Sequence, residues 1–258
     1  AQFQTLGLTV IDTTAEALLL NAIADVGSSS SIDTFAELTN LASIVNRLSI
    51  IAAGGTASPA LTAQDLEALG ITGVTSANLS AVIAAIAATA NDGSGIDSMA
   101  ELQTVANTGV ANARATSLGI IAAYTGTNTA PTLDDYQNAG VSGVTSSNIA
   151  AINSVIAQLS TTASDSQAEV QAVVDAYALV VAAANGLTDG GATLSANDYA
   201  ALGLEIINTA AEVSLMNDVL DAKSVSGVDT YTELAAIATA VSGVIAEANG
   251  SNASPSLT

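Results

Sequence analysis

Carboxylates are the residues of this chain best equipped for chemistry, and they recur at one fixed spacing. The pattern is Asp33-Thr34-Phe35-Ala36-Glu37-Leu38, Asp97-Ser98-Met99-Ala100-Glu101-Leu102, Asp165-Ser166-Gln167-Ala168-Glu169-Val170 and Asp229-Thr230-Tyr231-Thr232-Glu233-Leu234. A paired Asp and Glu can act as general acid and base, and two carboxylates suffice for glycoside hydrolysis. The same spacing has a second reading. A Ser or Thr followed three residues later by Glu is a capping box, in which the hydroxyl accepts from the N3 amide and the Glu accepts from the cap amide. The Asp just before it adds negative charge at the positive end of the helix dipole. Four near-identical copies without any chemically competent neighbour fit helix starts better than active sites, and no enzyme activity is expected. His and Cys are both absent, which removes imidazole bases, thiolate nucleophiles, disulfides and the nitrogen or sulfur ligands of zinc and copper sites.

One loop has the make-up of a cation site. In Asn91-Asp92-Gly93-Ser94-Gly95-Ile96-Asp97 the oxygen-bearing side chains of Asp92, Ser94 and Asp97 are interleaved with glycines that allow a tight turn, as a calcium loop requires. No Glu stands at its twelfth position, and the plainer reading is a Gly-rich turn leading into the Ser98 cap. No cofactor is expected, with calcium at this loop as the one alternative.

Charge narrows the partners. Three Lys+Arg against 24 Asp+Glu give a net charge of −21. Arg47, Arg114 and Lys223 are too few and too scattered to track a phosphate backbone, so nucleic acid is not expected. The acidic surface keeps an apolar-rich chain in solution by self-repulsion, or draws divalent cations between neighbouring chains. Only 10% of the residues are charged and 50% are hydrophobic, a balance that folds rather than staying disordered. The longest nearly apolar stretches, 79–90 and 177–184, fall short of the roughly 20 residues that cross a bilayer, so no membrane insertion is expected.

The elements that must position these residues repeat as well. Gly7, Gly70, Gly140 and Gly203 each follow a short apolar segment, with Phe3, Leu66, Tyr136 and Tyr199 four residues earlier. Each Gly suits the left-handed residue just past a helix, the helix opening at Leu61-Thr62, Leu133-Asp134 or Leu194-Ser195. A polar cap and a second helix of about four turns follow. They appear in one subtype as Val74–Leu79 and Val144–Ile149, and in another as Ile11–Glu16 and Ile207–Glu212. The third helix opens at the Asp-Thr/Ser box and is the longest, with apolar residues at steps of three and four: Leu38, Leu41, Val45, Leu48 and Ile51, or Leu234, Ile237, Val241 and Val244. Pro59, Pro131 and Pro255 sit in the turn-rich stretches between copies. The expected fold is all-α: four tandem three-helix-bundle repeats in a linear, solenoid-like array. The repeats cover residues 1–60 (first helix truncated), 61–132, 133–193 and 194–256, with 257–258 opening the next. A lone bundle of about 60 residues is marginal, so neighbours should share burial. Gly109 and Gly119 in the second copy's long helix could admit a close helix neighbour.

A helix ending in Ala-Leu-Gly-Ile-Thr (Ala68–Thr72), a second helix, and Asp97–Leu102 opening a third form an order that resembles the three-helix modules of bacterial surface proteins, such as the albumin-binding GA modules. It is also similar to the Ala/Asp/Thr-rich helical repeats of giant secreted adhesins and biofilm-matrix proteins. The resemblance implies an extracellular or cell-surface setting. Albumin binding is not carried over, since no residues match the GA binding face.

The chain ends complement each other. Joining Leu257-Thr258 to Ala1–Gly7 rebuilds a first helix with a Leu-to-Gly step of 8, against internal steps of 9, 7 and 9. We therefore expect a homopolymer in which Phe3, Leu6 and Gly7 of one copy abut Leu257 and Thr258 of another, with lateral packing between arrays. The expected function is a non-catalytic structural protein forming an extracellular fibre, sheath or adhesin stalk. The alternative is a binding module that captures a host protein or surface polymer.

Overall fold

The structure, a computed structural model, describes residues 2–27, 32–187 and 190–250. Among these residues it is all-α, with an isolated bridge between Asn185 and Ser224 as its one extended pairing. Short, medium and long helices alternate along the chain: α1 (Gln2–Thr5), α2 (Thr14–Val26), α3 (Phe35–Ala52); α4 (Ala63–Ala68), α5 (Leu79–Ala87), α6 (Met99–Ala122); α7 (Leu133–Ala139), α8 (Ile149–Ile156), α9 (Gln167–Ala183); α10 (Ala196–Ala201), α11 (Ala210–Asp221), α12 (Tyr231–Ala248). The long helices start one residue after Thr34, Ser98, Ser166 and Thr230, where the capping boxes place them. The medium helices run for 13, 9, 8 and 12 residues, shorter than the four turns the apolar runs suggest. In α5 the reason is local: the Thr89 hydroxyl donates to the Ile86 carbonyl at 2.7 Å and closes the helix.

Two compact units divide the chain, Ala1–Arg114 and Ala115–Thr258, and the division falls inside α6. In the first unit one core runs from Leu8 to Ala106. Its axis is α3, which packs against α2, α4 and α5 and buries Ile44, Leu48 and Ile51. In the second, one core runs from Ile121 to Val241, with α9 packed against α8, α10 and α11, and α12 against α11 and α8. Each core thus draws on two successive short-medium-long sets. Within each core the first long helix covers the first two helices of the set that follows it, α3 over α4 and α5 and α9 over α10 and α11, as a segment too small to bury its own apolar surface requires.

Gly109 explains how α5 and α6 come so close. A Cβ there would lie 2.5 Å from the Val82 Cα, so a side chain at this position would have to displace backbone. Nothing lies within 4 Å of the corresponding point at Gly119. Of the two glycines expected to admit a neighbour, only Gly109 does so.

Candidate functional site

The four Asp-[Thr/Ser]-x-x-Glu motifs are built as helix caps. At α3, α9 and α12 the hydroxyls of Thr34, Ser166 and Thr230 accept from the Glu37, Glu169 and Glu233 amides, and those carboxylates accept from the cap amides. At α6 the Glu101 amide donates to Ser98 Oγ at 3.3 Å, and that hydroxyl donates to Glu101 Oε2 at 2.9 Å. Hydrogen bonds from Thr34 hold the Glu37 carboxyl below the usual range, and those from Ser98 and Ser166 do the same for Glu101 and Glu169. Asp97 goes the other way: its hydrogen bond and charge repulsion with Glu101 raise it. Such carboxylates are engaged at helix starts, in hydrogen bonds to the cap hydroxyl or amide. Asp33, Asp165 and Asp229 precede their caps at the same position as Asp97.

The residue after each cap has a task that the motif does not reveal. It lies over the left-handed glycine of its own set: the Cβ position of Gly7 is 3.7 Å from Phe35, that of Gly70 is 3.8 Å from Met99, and that of Gly203 is 3.5 Å from Tyr231. Gln167 goes further and donates to the Gly140 carbonyl at 2.6 Å. All four glycines have positive φ, between 74° and 90°. The amides of Leu8, Ile71, Val141 and Leu204 reach back to the carbonyls of Phe3, Leu66, Tyr136 and Tyr199, the 6→1 bond of a Schellman end. An apolar contact between the third-last residue and the one after the glycine commonly accompanies such an end, which suits a large residue four places before each glycine.

Further capping boxes open α2, α4, α7, α10 and α11 through Thr13/Glu16, Thr62/Asp65, Thr132/Asp135, Ser195/Asp198 and Thr209/Glu212. The third short helix is therefore capped by Thr132 and not by the Leu133-Asp134 pair. The missed signal was a Thr-x-x-Asp spacing, since Asp fills the Glu role in short helices. Asn78 and Asn148 make no cap bond; instead each accepts from a Thr amide, Thr75 or Thr145, and donates to the Gly73 or Gly143 carbonyl, stapling the loop ahead of the helix. Asn78 is buried.

In the loop with the calcium-like composition, Asp92 Oδ1 accepts from the Ser94 amide at 3.0 Å, an Asx turn, and Ile96 is buried. Asp92 and Asp97 are close enough for the charge of one to raise the other. No group of three or more His, Cys, Asp or Glu that could hold a metal occurs among the described residues. A cation here would draw on Asp97 and Glu101, with Asp92 as a more distant charge.

The segment leading into each short helix is fastened differently in the two units. In the first, the buried Arg47 of α3 donates to the Ala60 carbonyl at 3.1 Å and makes a bidentate pair with Asp65 at 2.8 and 2.9 Å. Burial raises Asp65, but the bonds from Arg47 and Thr62 outweigh it and hold the carboxyl below its usual value. In the second, Tyr136 donates to Asn153 at 2.7 Å and Asn153 donates to the Pro131 carbonyl; Tyr199 donates to Asn217, which also bonds both backbone groups of Leu194. Burial pushes both phenols well above their usual value. Ser117 adds a 3.3 Å bond to Asp135, at the position equivalent to Arg47. Tyr136 and Tyr199 stand among the repeated landmark residues of the sequence, whereas no motif marks their partners Asn153 and Asn217.

Of the expected array-junction residues, Phe3 is half-buried, Leu6 is 55% exposed and Gly7 is left-handed at φ 90°; Leu257 and Thr258 lie outside the described residues. A depression of about 310 Å3 beside Phe3 is lined by Ile11, Asp12, Thr13 and Ala17. A second, of about 360 Å3, lies over Ala84, Ala88, Val105 and Asn112 and carries no titratable group. Among the described residues, no helix is long and apolar enough to cross a membrane. No protein-family model matches the chain, nor does any curated protein or solved structure.

Proposed function

We propose that this protein is a non-catalytic structural element: four tandem three-helix sets that continue head to tail, with lateral packing, into an extracellular fibre, sheath or stalk. The observation that carries the reading is the way one set relies on the next. α4 leans on α3 and α10 on α9, so the chain is organised around contacts between successive sets and not around a cleft. The carboxylates at fixed spacing are engaged by helix amides, which supports a mechanical role for them. Copies of the same chain are the expected partners. Nucleic acid is a poor one, because Arg47, one of only three cations, is taken up by Asp65. The setting at the cell surface rests on the resemblance to adhesin and matrix repeats. Electron microscopy of the purified chain tests the reading: filaments with a regular axial repeat are expected, and a monodisperse particle at every concentration would remove it. Exposed Val26 and Phe35 favour a second reading, a module that captures a surface polymer or host protein, for which saturable one-to-one binding by the monomer is the expected signature.

A further inference from the structure

Two buried carboxylates at equivalent places in the fold differ in what satisfies their second oxygen. Glu16 and Glu212 are the third residues of α2 and α11, 3% and 7% exposed. In each, Oε2 takes the donors of the cap: the amides of Asp12 and Thr13 and the Thr13 hydroxyl for Glu16, the amides of Asn208 and Thr209 and the Thr209 hydroxyl for Glu212. The other oxygen of Glu212, Oε1, accepts from the Ser242 hydroxyl of α12 at 2.8 Å. For Glu16, among the described residues, the bonds to the carboxylate all fall on Oε2. A buried carboxylate oxygen without a donor is costly, so a partner for Oε1 has to come from elsewhere.

Glu16 borders a recess of about 10 Å3 that it shares with Leu19 of α2, Val45 and Ser49 of α3, and Gly93 and Ile96 of the loop ahead of α6. Gly93 closes the recess against α2, since a Cβ there would lie 3.0 Å from the Ala15 Cβ. The Ser49 side chain is half-buried and makes no hydrogen bond among the described residues. A space on this scale holds one water and nothing larger, and a water needs at least two polar partners to stay. We propose that a single ordered water occupies this recess, donating to Glu16 Oε1 and bonding the Ser49 hydroxyl, and so does for Glu16 what Ser242 does directly for Glu212. The sequence explains the substitution. Ser242 lies 12 residues after its Thr230 cap and Ser49 lies 15 after Thr34, one turn further along the long helix, and a bridging water spans the extra distance at little enthalpic cost. Because the loop carrying Gly93 and Ile96 belongs to the second set, the water also fastens that loop to the α2 and α3 pair of the first.

Water–protein cross-relaxation by NMR on the unaltered chain tests the site directly. The Gly93 amide and the Ala15 methyl are expected to show contacts with a water held far longer than surface water. Ser49→Val, with circular dichroism showing that it stays helical, should abolish those contacts and lower the melting temperature by about 2 to 4 °C, because its methyls displace the donor of a buried carboxylate. In a Glu16→Met background, where no oxygen needs a donor, the same filling should instead raise the melting temperature. Exchanging sodium for choline in the buffer should shift nothing. Absence of long-lived water contacts in the unaltered chain overturns the proposal, whatever the variants do. So does a rise in melting temperature for Ser49→Val with Glu16 in place, the mark of an apolar void being filled. A fall on removing sodium that sodium restores would assign the recess to a monovalent cation and overturn the water.

Discussion

The two units solve one problem with different chemistry. A short helix of six or seven residues cannot hold its own leading segment, whose carbonyls need donors away from water. The first unit supplies a charge, Arg47, reaching from the long helix of the preceding set to Ala60 and Asp65. The second supplies neutral amides, Asn153 and Asn217, reaching from the medium helix of the same set and each topped by a tyrosine hydroxyl. A neutral clamp satisfies its carbonyl without burying charge, whereas a buried ion pair must recover a desolvation cost of several kcal/mol per ion through close geometry. The charged clamp ties one set to another; the neutral clamp ties a set to itself.

The largest expected effect of breaking this difference is in the first unit. Arg47→Ala removes the guanidinium from Asp65 and leaves the Ala60 carbonyl without its donor, and it should cost about 3 kcal/mol by thermal or denaturant melts followed by circular dichroism. Hydrogen exchange should quicken in α3 and α4 and stay unchanged in α9 and α10. The Asp65 carboxyl is held below its ordinary value in the folded chain, so the stability it contributes is present above the unfolded value of about 3.9 and is lost as pH falls through the lower folded one. The gap between the unaltered chain and Arg47→Ala should therefore narrow as pH falls through that window; a constant gap would show that the pair's charge is immaterial.

Next in size is Gly109→Ala. Its methyl group would meet the Val82 backbone, and the resulting overpacking should cost about 2 kcal/mol. Tyr199→Phe, which deletes one bond from a clamp whose Asn217 still accepts from Leu194, should cost only about 1 kcal/mol. Gly119→Ala, in an exposed and unobstructed helical position, should raise stability by about 0.5 to 1 kcal/mol. Smallest of all is calcium: Asp92 is already spent on the Ser94 turn, and a chelator should leave the melting temperature unshifted. A fall abolished by Asp97→Asn would instead establish a cation at that loop.

Helix starts were legible because capping uses residues close in sequence: Thr34 and Glu37 are three apart, and so is every box that follows the rule. Helix ends at Gly7, Gly70, Gly140 and Gly203 were legible for the same reason, since only glycine takes the left-handed conformation cheaply. Contacts between residues distant in sequence were not legible. Arg47 and Asp65 are 18 residues apart and carry no periodic signature, and Asn153 reads as an ordinary polar residue in an apolar helix until Tyr136 and Pro131 are brought to it. The division into two units inside α6 also has no local mark, because the helix runs unbroken through it.

The tyrosine clamps have an optical consequence. All five tyrosines lie beyond residue 115, both phenylalanines lie before residue 36, and tryptophan is absent. Tyrosine absorbance and emission therefore originate in the second unit alone. An unfolding curve followed by intrinsic fluorescence is blind to the first unit, and absorbance at 280 nm would count two cleaved halves as one.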